Sequence, residues 1–245
     1  MKSERLLLGP RSVEEALRAD PRRLSVIYLS DERAREFEPQ ARRAGVTCEI
    51  KSADELNALA GGLRHQGTIA IAGEYAYAEL DDVLEHAGPA PLLIALDQIA
   101  DPHNFGAIVR SSVAFGADAV ITLKDRAAPV TPVVVRASAG ATERARIVRV
   151  TNLARTLDAL RERGLSIVGL DASGASAFDA LPFDPAGRVL VIGSEGSGLR
   201  RLTRERCDTL ARIELAAGFE SLNASVAAAI ALYESARARR DLPAP

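Results

Sequence analysis

Residues 189–234 read VLVIGSEGSGLRRLTRERCDTLARIELAAGFESLNASVAAAIALYE. The opening VLVI is a short β-branched and leucine run of the kind that fills a buried strand. It stops at Gly193-Ser194-Glu195-Gly196-Ser197-Gly198, where three glycines permit a sharp turn and a close approach of backbone to a ligand. Glu195 lies inside that turn, where a purely structural loop has no need of a carboxylate. Residues 212–215 read as a second short strand, followed by Gly218, Phe219 and Glu220. Ser221-Leu222-Asn223 then precedes a small-residue helix from 224 to about 237, with Ser221 or Asn223 placed to cap it. Two strand ends and one helix N-terminus thus converge, and open α/β sheets take ligands at the carboxyl ends of their strands. Glycine turns and Ser or Asn caps also occur with no ligand, so this stretch alone leaves both readings open.

The preceding residues repeat the pattern. Residues 92–99 (LLIALDQI) form a buried strand, 101–106 (DPHNFG) the loop at its carboxyl end, 107–115 a helix closed by Gly116, and 119–123 (AVITL) the next strand. A β-loop-α-β order makes the two strands parallel. Asn104 can cap this helix or reach a ligand. Arg110, one to two turns into it, reads on its own as a solvated helix residue. A helix after Pro132, a strand at 147–150, a helix at 153–163, a strand at 167–170 and a polar loop at 171–187 lead back to Val189. This part is an α/β sandwich with a mostly parallel sheet. The first seventy residues alternate helices (12–19, 31–44, and one ending at Ala60) with strands (24–29, 46–50, 68–72), Ser52 and Glu55 having the form of a capping box. The expected division is a small α/β domain over 1–73, a linker over 74–91 with a short helix near 80–86, and a larger domain over 92–245. In the small domain Arg11, Arg18, Arg22, Arg23, Arg42 and Arg43 are candidate phosphate contacts, but acidic residues are interleaved with them. His65 before a glycine reads as a turn residue.

Composition narrows the class. Of 245 residues, 47% are hydrophobic, enough for a sizeable core, and the formal charge is −2, so bulk basicity is not the basis of any nucleic-acid binding. Cys48 and Cys207 have neither metal-ligand nor disulfide-framework spacing, which fits a reducing cytosol. The apolar run near the N-terminus is too short for a signal peptide, and no run reaches the length of a membrane span. Gly193, Gly196 and Gly198 give G-x-x-G-x-G rather than the dinucleotide fingerprint, although Glu214 keeps a nucleotide reading as a weak alternative. There is no P-loop and no nucleophile elbow. His65, His86 and His103 are scattered, so a His-based metal site is not expected.

Three stretches together resemble the SpoU-type RNA ribose 2′-O-methyltransferases. Asp97 through Arg110 (DQIADPHNFGAIVR) resembles their first motif, Gly193 through Leu199 (GSEGSGL) the second, and Ile213 through Ser221-Leu222-Asn223-Ala224-Ser225 the third, in the family's order. The N-terminal unit, with His65-Gln66-Gly67, resembles the small substrate-binding domain of members that act on large-subunit ribosomal RNA. The resemblance implies an α/β fold whose C-terminal part passes through a loop as a deep trefoil knot, a rare exception to unthreaded topology. It implies S-adenosyl-L-methionine as cofactor, bound at Gly193, Ile213 and Leu222, and no metal. It implies Arg110 as catalytic residue, with Asn104 orienting Arg110 or the substrate, Glu195 fixing the loop and Arg110, and Ser221 and Asn223 shaping the pocket. A guanidinium is effectively always protonated, which favours Arg110 as a cation for the developing alkoxide over Arg110 as base. The implied partners are RNA, above all a guanosine of 23S ribosomal RNA, and a second copy of the chain in a homodimer, with neither DNA nor membrane and a cytoplasmic location. A tRNA target and a non-catalytic ribosome-assembly role stand as alternatives. The third motif departs from the family: Glu214 and Leu215 stand where Pro and Met are common, and Ala224 where Val is usual. Glu214 is therefore expected to bring a charge near the cofactor loop.

Overall fold

The computed structural model describes residues 4–217 and 219–242; Gly218 lies outside them. The chain forms two compact units, Met1–Ala76 with Val130–Arg144, and Tyr77–Pro129 with Ala145–Pro245.

The first unit begins with β1 (Arg5–Leu8) and α1 (Pro10–Ala19), continues through β2 (Leu24–Leu29), α2 (Asp31–Ala44), β3 (Cys48–Ile50) and α3 (Ala53–Ala60), and ends on β4 (Thr68–Ala72). Its four strands lie in the order β1-β4-β2-β3, with β4 antiparallel to both neighbours and β2 parallel to β3. Local chemistry explains the boundaries. The Ser52 hydroxyl and the Glu55 carboxylate exchange hydrogen bonds with each other's backbone N–H, a complete capping box that starts α3. Gly45 ends α2 in the left-handed conformation, at φ 73°. The core joins Leu7, Val13, Ile27, Leu29, Phe37 and Ala70.

The second unit opens with α4 (Leu80–Glu85), the short helix expected within 74–91, whose buried Val83 packs into the core of this unit. β5 (Leu92–Asp97), α5 (Pro102–Ala114) and β6 (Ala119–Leu123) follow. The expected loop at 101–106 is instead the first turn of α5. Asp101 is its N-cap, its carboxylate accepting from the backbone N–H of His103 and Asn104, and Pro102 takes the first helical position, where no N–H is needed. The chain then enters the first unit for α6 (Pro132–Ala137) and a 3-10 turn at Ala141–Glu143. Val135 joins the core of that unit, Tyr75 donates its hydroxyl to Thr142 O, and Arg5 makes a two-pronged ion pair with Glu143 at 2.7 and 2.6 Å. α6 lies within the 92–245 expected for the larger domain, and its Val135 is buried in the core of the first unit.

β7 (Ile147–Val150), α7 (Leu153–Glu162), β8 (Ser166–Leu170), β9 (Ser176–Ala177), β10 (Arg188–Gly193), α8 (Arg201–Arg204), β11 (Thr209–Arg212) and α9 (Ala224–Arg240) complete the chain. The sheet runs β7-β6-β5-β10-β8-β11-β9, and every pairing among these strands is parallel. β5 is buried at all six residues, as a central parallel strand covered on both faces must be. β11 ends where 212–215 was expected to begin a strand; the apolar Ile213 and Leu215 leave the sheet to line a cavity instead.

Candidate active site

A cavity of about 590 Å³ lies at the carboxyl ends of β8, β10 and β11, beside the N-terminus of α9. Gly193, Glu195, Ile213, Ser221, Leu222 and Asn223 all line it. Its floor is the loop after β10. Ser194 N donates to Gly198 O at 3.2 Å and Gly198 N donates to Ser194 O at 2.9 Å, closing the loop into a ring. Gly196 and Gly198 adopt φ of 80° and 64°, as such a turn requires. Gly193 is needed for a different reason. A Cβ there would lie 2.2 Å from the carbonyl carbon of Gly198, which no adjustment of a side chain relieves. The loop is also anchored from outside the cavity. Asp97, fully buried at the end of β5, accepts from the backbone N–H of Arg200 at 2.9 Å and from its Nε at 2.6 Å.

One hydrogen-bond network joins the three motif regions. The side-chain amide of Asn223 donates to Asn104 Oδ1 at 3.0 Å and to Glu195 Oε1 in a short contact. Glu195 Oε1 also accepts from the backbone N–H of Ala224 at 3.4 Å. The Asn223 side-chain oxygen accepts from Ser225 N and Val226 N, so Asn223, not Ser221, caps α9. A single side chain thereby starts a helix with its oxygen and ties two distant loops with its amide.

Arg110 is not part of this network. It is exposed on α5, is absent from the cavity wall, and has no hydrogen bond or ion pair among the described residues. The expected bonds from Asn104 and Glu195 to Arg110 are replaced by those to Asn223. The reason is helical geometry: residues 104 and 110 are six apart, about 240° around a helix of 3.6 residues per turn, and so point different ways. Glu214 is likewise outside the cavity wall. It pairs with Arg212 at 2.6 Å, and Arg212 donates to the carbonyls of Gly174 and Ala175, so the charge expected beside the cofactor loop is drawn away from it.

Asp171 and Arg204, not singled out by sequence, also line the cavity. Asp171, at the end of β8, pairs with Arg204 at 2.5 Å, and Ser173 accepts from the same guanidinium at 2.9 Å. Burial raises the Asp171 carboxyl, and the Ser173 hydrogen bonds with the Arg204 charge more than offset it, leaving its pKa below the ordinary value. The only signal in the sequence was an acid directly after a strand; its place beside β10 follows from strand order, which local sequence does not carry.

Residues 91–233 match the family model described as the SpoU rRNA Methylase family, and residues 6–78 match that for RNA 2'-O ribose methyltransferase substrate binding. The chain belongs to the SpoU rRNA methylase family. It is 41% identical over its whole length to the whole of a protein of Ralstonia nicotianae named 23S rRNA (guanosine-2'-O-)-methyltransferase RlmB, and 43% identical over 98% of its length to all of the Bordetella pertussis protein of the same name. Among solved structures, the SpoU methyltransferase AviRb of Streptomyces viridochromogenes, in complex with the cofactor AdoMet, superposes with a TM-score of 0.80 at 28% identity, over 97% of this chain and 91% of that one. For a SpoU member the cavity has suitable chemistry. Its apolar walls (Ile213, Leu215, Leu222) suit a nucleoside, and its carboxylates (Asp171, Glu195, Glu220) suit a sulfonium cation. The crowding at Gly193 keeps backbone, rather than side chain, at its floor.

Proposed function

We propose that this protein methylates the ribose 2′-hydroxyl of a guanosine in 23S ribosomal RNA, using S-adenosylmethionine. The observation that carries this is the Asn104–Asn223–Glu195 network, which fixes all three motif regions around one cavity at the strand ends. Full-length identity to proteins named for that activity supports the choice of RNA. S-adenosylmethionine supplies a methyl group made electrophilic by its sulfonium. Gly193, Ile213 and Leu222 hold it, largely through backbone and apolar contacts. Glu195 and Asn223 keep the loop after β10 and the start of α9 at a fixed separation, so that the cavity is formed before substrate arrives.

Arg110 acts on the RNA. Its guanidinium stays protonated, so it stabilises the negative charge developing on the 2′-oxygen and orients the neighbouring phosphate, rather than taking the proton. Its exposure and lack of an internal partner suit a group whose partner arrives with the substrate. Asn104 orients Asn223, and Ser221 shapes the cavity rim. The smaller unit holds the RNA while the larger one carries out the transfer. The loops after β10 and β11 form the knotted region that family membership implies.

The functional form is a homodimer in the cytoplasm. Val226, Ile230 and Tyr233 are exposed along one stripe of α9, at the i, i+4 and i+7 spacing of an unpartnered helix face. Both cysteines are free thiols. The test is incubation of unmodified 23S rRNA, transcribed in vitro, with labelled S-adenosylmethionine, followed by mapping of 2′-O-methyl positions. One methylated guanosine is expected. Incorporation into a tRNA transcript instead, or into neither RNA, would refute the assignment.

A further inference from the structure

The smaller unit contains a second cavity, of about 330 Å³, which the reaction above does not use. Three segments meet in its wall: residues 8–12 at the start of α1, Arg64 and Gln66 in the turn before β4, and Arg136 and Ala139 around the end of α6. Arg11, Arg64 and Arg136 line it, and no carboxylate-bearing residue does. Arg64 and Arg136 are exposed and have no ion pair or hydrogen bond among the described residues, and Arg11 reaches only Glu14, at 3.6 Å. Elsewhere in this unit Arg5 is tied to Glu143, Arg22 to Asp20 and Arg33 to Glu36, whereas here two unpaired guanidiniums border one cavity.

Ser12 provides an independent sign. It is 1% exposed, lines this same cavity, and its hydroxyl has no hydrogen-bond partner among the described residues. A hydroxyl in the cavity wall with no internal partner is free to donate to an oxygen that enters the cavity. The cleft is also built by close packing rather than by the chance approach of long side chains. A Cβ on Gly140 would lie 2.8 Å from Ser12 Cα and 3.0 Å from Arg11 O, so only glycine lets the end of α6 sit this close to α1. Gln66 and Ala139, both with φ of 52°, are two of the four described non-glycine residues at positive φ, and both line this cleft.

We infer that this cleft binds one phosphodiester group of the RNA backbone, its oxygens accepting hydrogen bonds from Arg64, Arg136 and the Ser12 hydroxyl. The inference rests on the RNA-modifying function proposed above. It extends the RNA-holding surface beyond the matched substrate-binding segment, residues 6–78, to Arg136 in the segment Val130–Arg144. Planar guanidinium forks are suited to phosphate oxygens, which they bind in a two-pronged manner.

The experiment compares the full-length protein with its R64Q/R136Q double variant. RNA affinity is measured for unmodified 23S rRNA transcript at a series of salt concentrations, binding of inorganic phosphate by ³¹P line broadening, and S-adenosylmethionine affinity by calorimetry as a check on folding. The expected result is a roughly 30-fold weaker RNA affinity at 100 mM salt and a slope of log K against log salt lower by about one, with S-adenosylmethionine affinity unchanged. An unchanged RNA affinity and slope overturn the inference. Loss of phosphate broadening alone, with the RNA slope intact, also overturns it and leaves a site for free anions only. A variant that loses S-adenosylmethionine binding is replaced by S12A, for which RNA affinity at 100 mM salt is read: a loss of about fivefold is expected, with the slope unchanged because a hydroxyl releases no counterion, and an unchanged affinity overturns the inference. If wild-type protein methylates no RNA but the slope still falls in the variant, the proposed reaction fails and the cleft stands.

Discussion

The two cavities hold their polar groups in opposite ways. In the larger unit all the charged and amide side chains around the cavity except Glu220 are bonded: Asn223 to Asn104 and Glu195, Asp171 to Arg204, and beneath the loop Asp97 to Arg200. In the smaller unit the cleft presents guanidiniums with nothing bonded to Arg64 or Arg136. A site for one small molecule gains from groups that are already fixed, since nothing must reorder when it fills. A site for a polyanion gains from free cations, since each phosphate contact releases condensed counterions. Arg110 breaks the pattern. It belongs to the larger unit and yet is unbonded, in keeping with the role on the RNA proposed for it.

Removing Arg110 should therefore give the largest effect and the sharpest division. Arg110→Ala is expected to lower kcat by about 10³-fold, in the range seen when a charge-stabilising donor is lost. Affinity for S-adenosylmethionine should stay within about twofold, because Arg110 is not in the cavity wall. Arg110→Lys should recover only part of the rate, since a point charge replaces a planar fork. Single-turnover methyl transfer and calorimetry measure the two quantities. A normal rate in Arg110→Lys would remove the case for a two-pronged contact.

Gly193→Val should act in the opposite sense, on the cofactor rather than on RNA. A Cβ at this position collides with the backbone of Gly198, so the loop must open. We expect affinity for S-adenosylmethionine to fall by about 100-fold or more, with RNA affinity unchanged because the cleft of the smaller unit is untouched. Titration calorimetry and a gel-shift assay on one preparation test both halves. Equal losses in the two would dissolve the division between the cavities.

Much of this was legible in the sequence where the signal is local. β2, β4, β6 and β7 occupy the residues read from their apolar β-branched runs, and the Ser52–Glu55 capping box is present. Gly193, Ile213, Leu222, Ser221, Glu195 and Asn223, named from motif resemblance, line one cavity. What was missed is non-local. One local signal is misread as well: 101–106 reads as a loop, whereas Asp101 caps α5 and Pro102 is favoured at its first position. The burial of Val135 in the other unit, the bonding of Asp97 to a residue 103 positions away and the place of Asp171 beside β10 all depend on strand order. No window of sequence contains it.

Asp97 tests how far the bonded character of the larger cavity depends on its support. The carboxylate is fully buried and its two bonds go to Arg200, which is itself 42% exposed. Asp97→Ala leaves the Arg200 backbone N–H without its acceptor and opens space at the end of β5. A loss of about 2–3 kcal/mol in unfolding free energy is expected, below the cost of stranding a fully buried ion because Arg200 can turn to water. Urea unfolding measures it. A loss under about 1 kcal/mol would mean that the loop after β10 holds itself in place through its Ser194–Gly198 ring.

The smallest effect should come from the Asp171–Arg204 pair at the rim, and its pH dependence carries the information. Arg204 is 42% exposed and Asp171 13%, so solvent screens the pair and Arg204→Ala should cost only about 0.5–1 kcal/mol at neutral pH. Burial pushes the Asp171 carboxyl up, while Ser173 and Arg204 pull it below its ordinary value. A carboxyl held low stabilises the fold at pH values above its unfolded pKa, about 4, and that contribution disappears as pH falls through the folded value. Without Arg204 one of the opposing influences is gone, so the folded value rises and the contribution shrinks. The stability gap between wild type and Arg204→Ala should then be constant from about pH 7 to pH 5 and close as pH drops below about 4. Thermal melts across that range read the gap directly. A gap that stays open at pH 3 would mean that Arg204 acts by packing over the cavity rim, through its aliphatic stem, rather than through its charge.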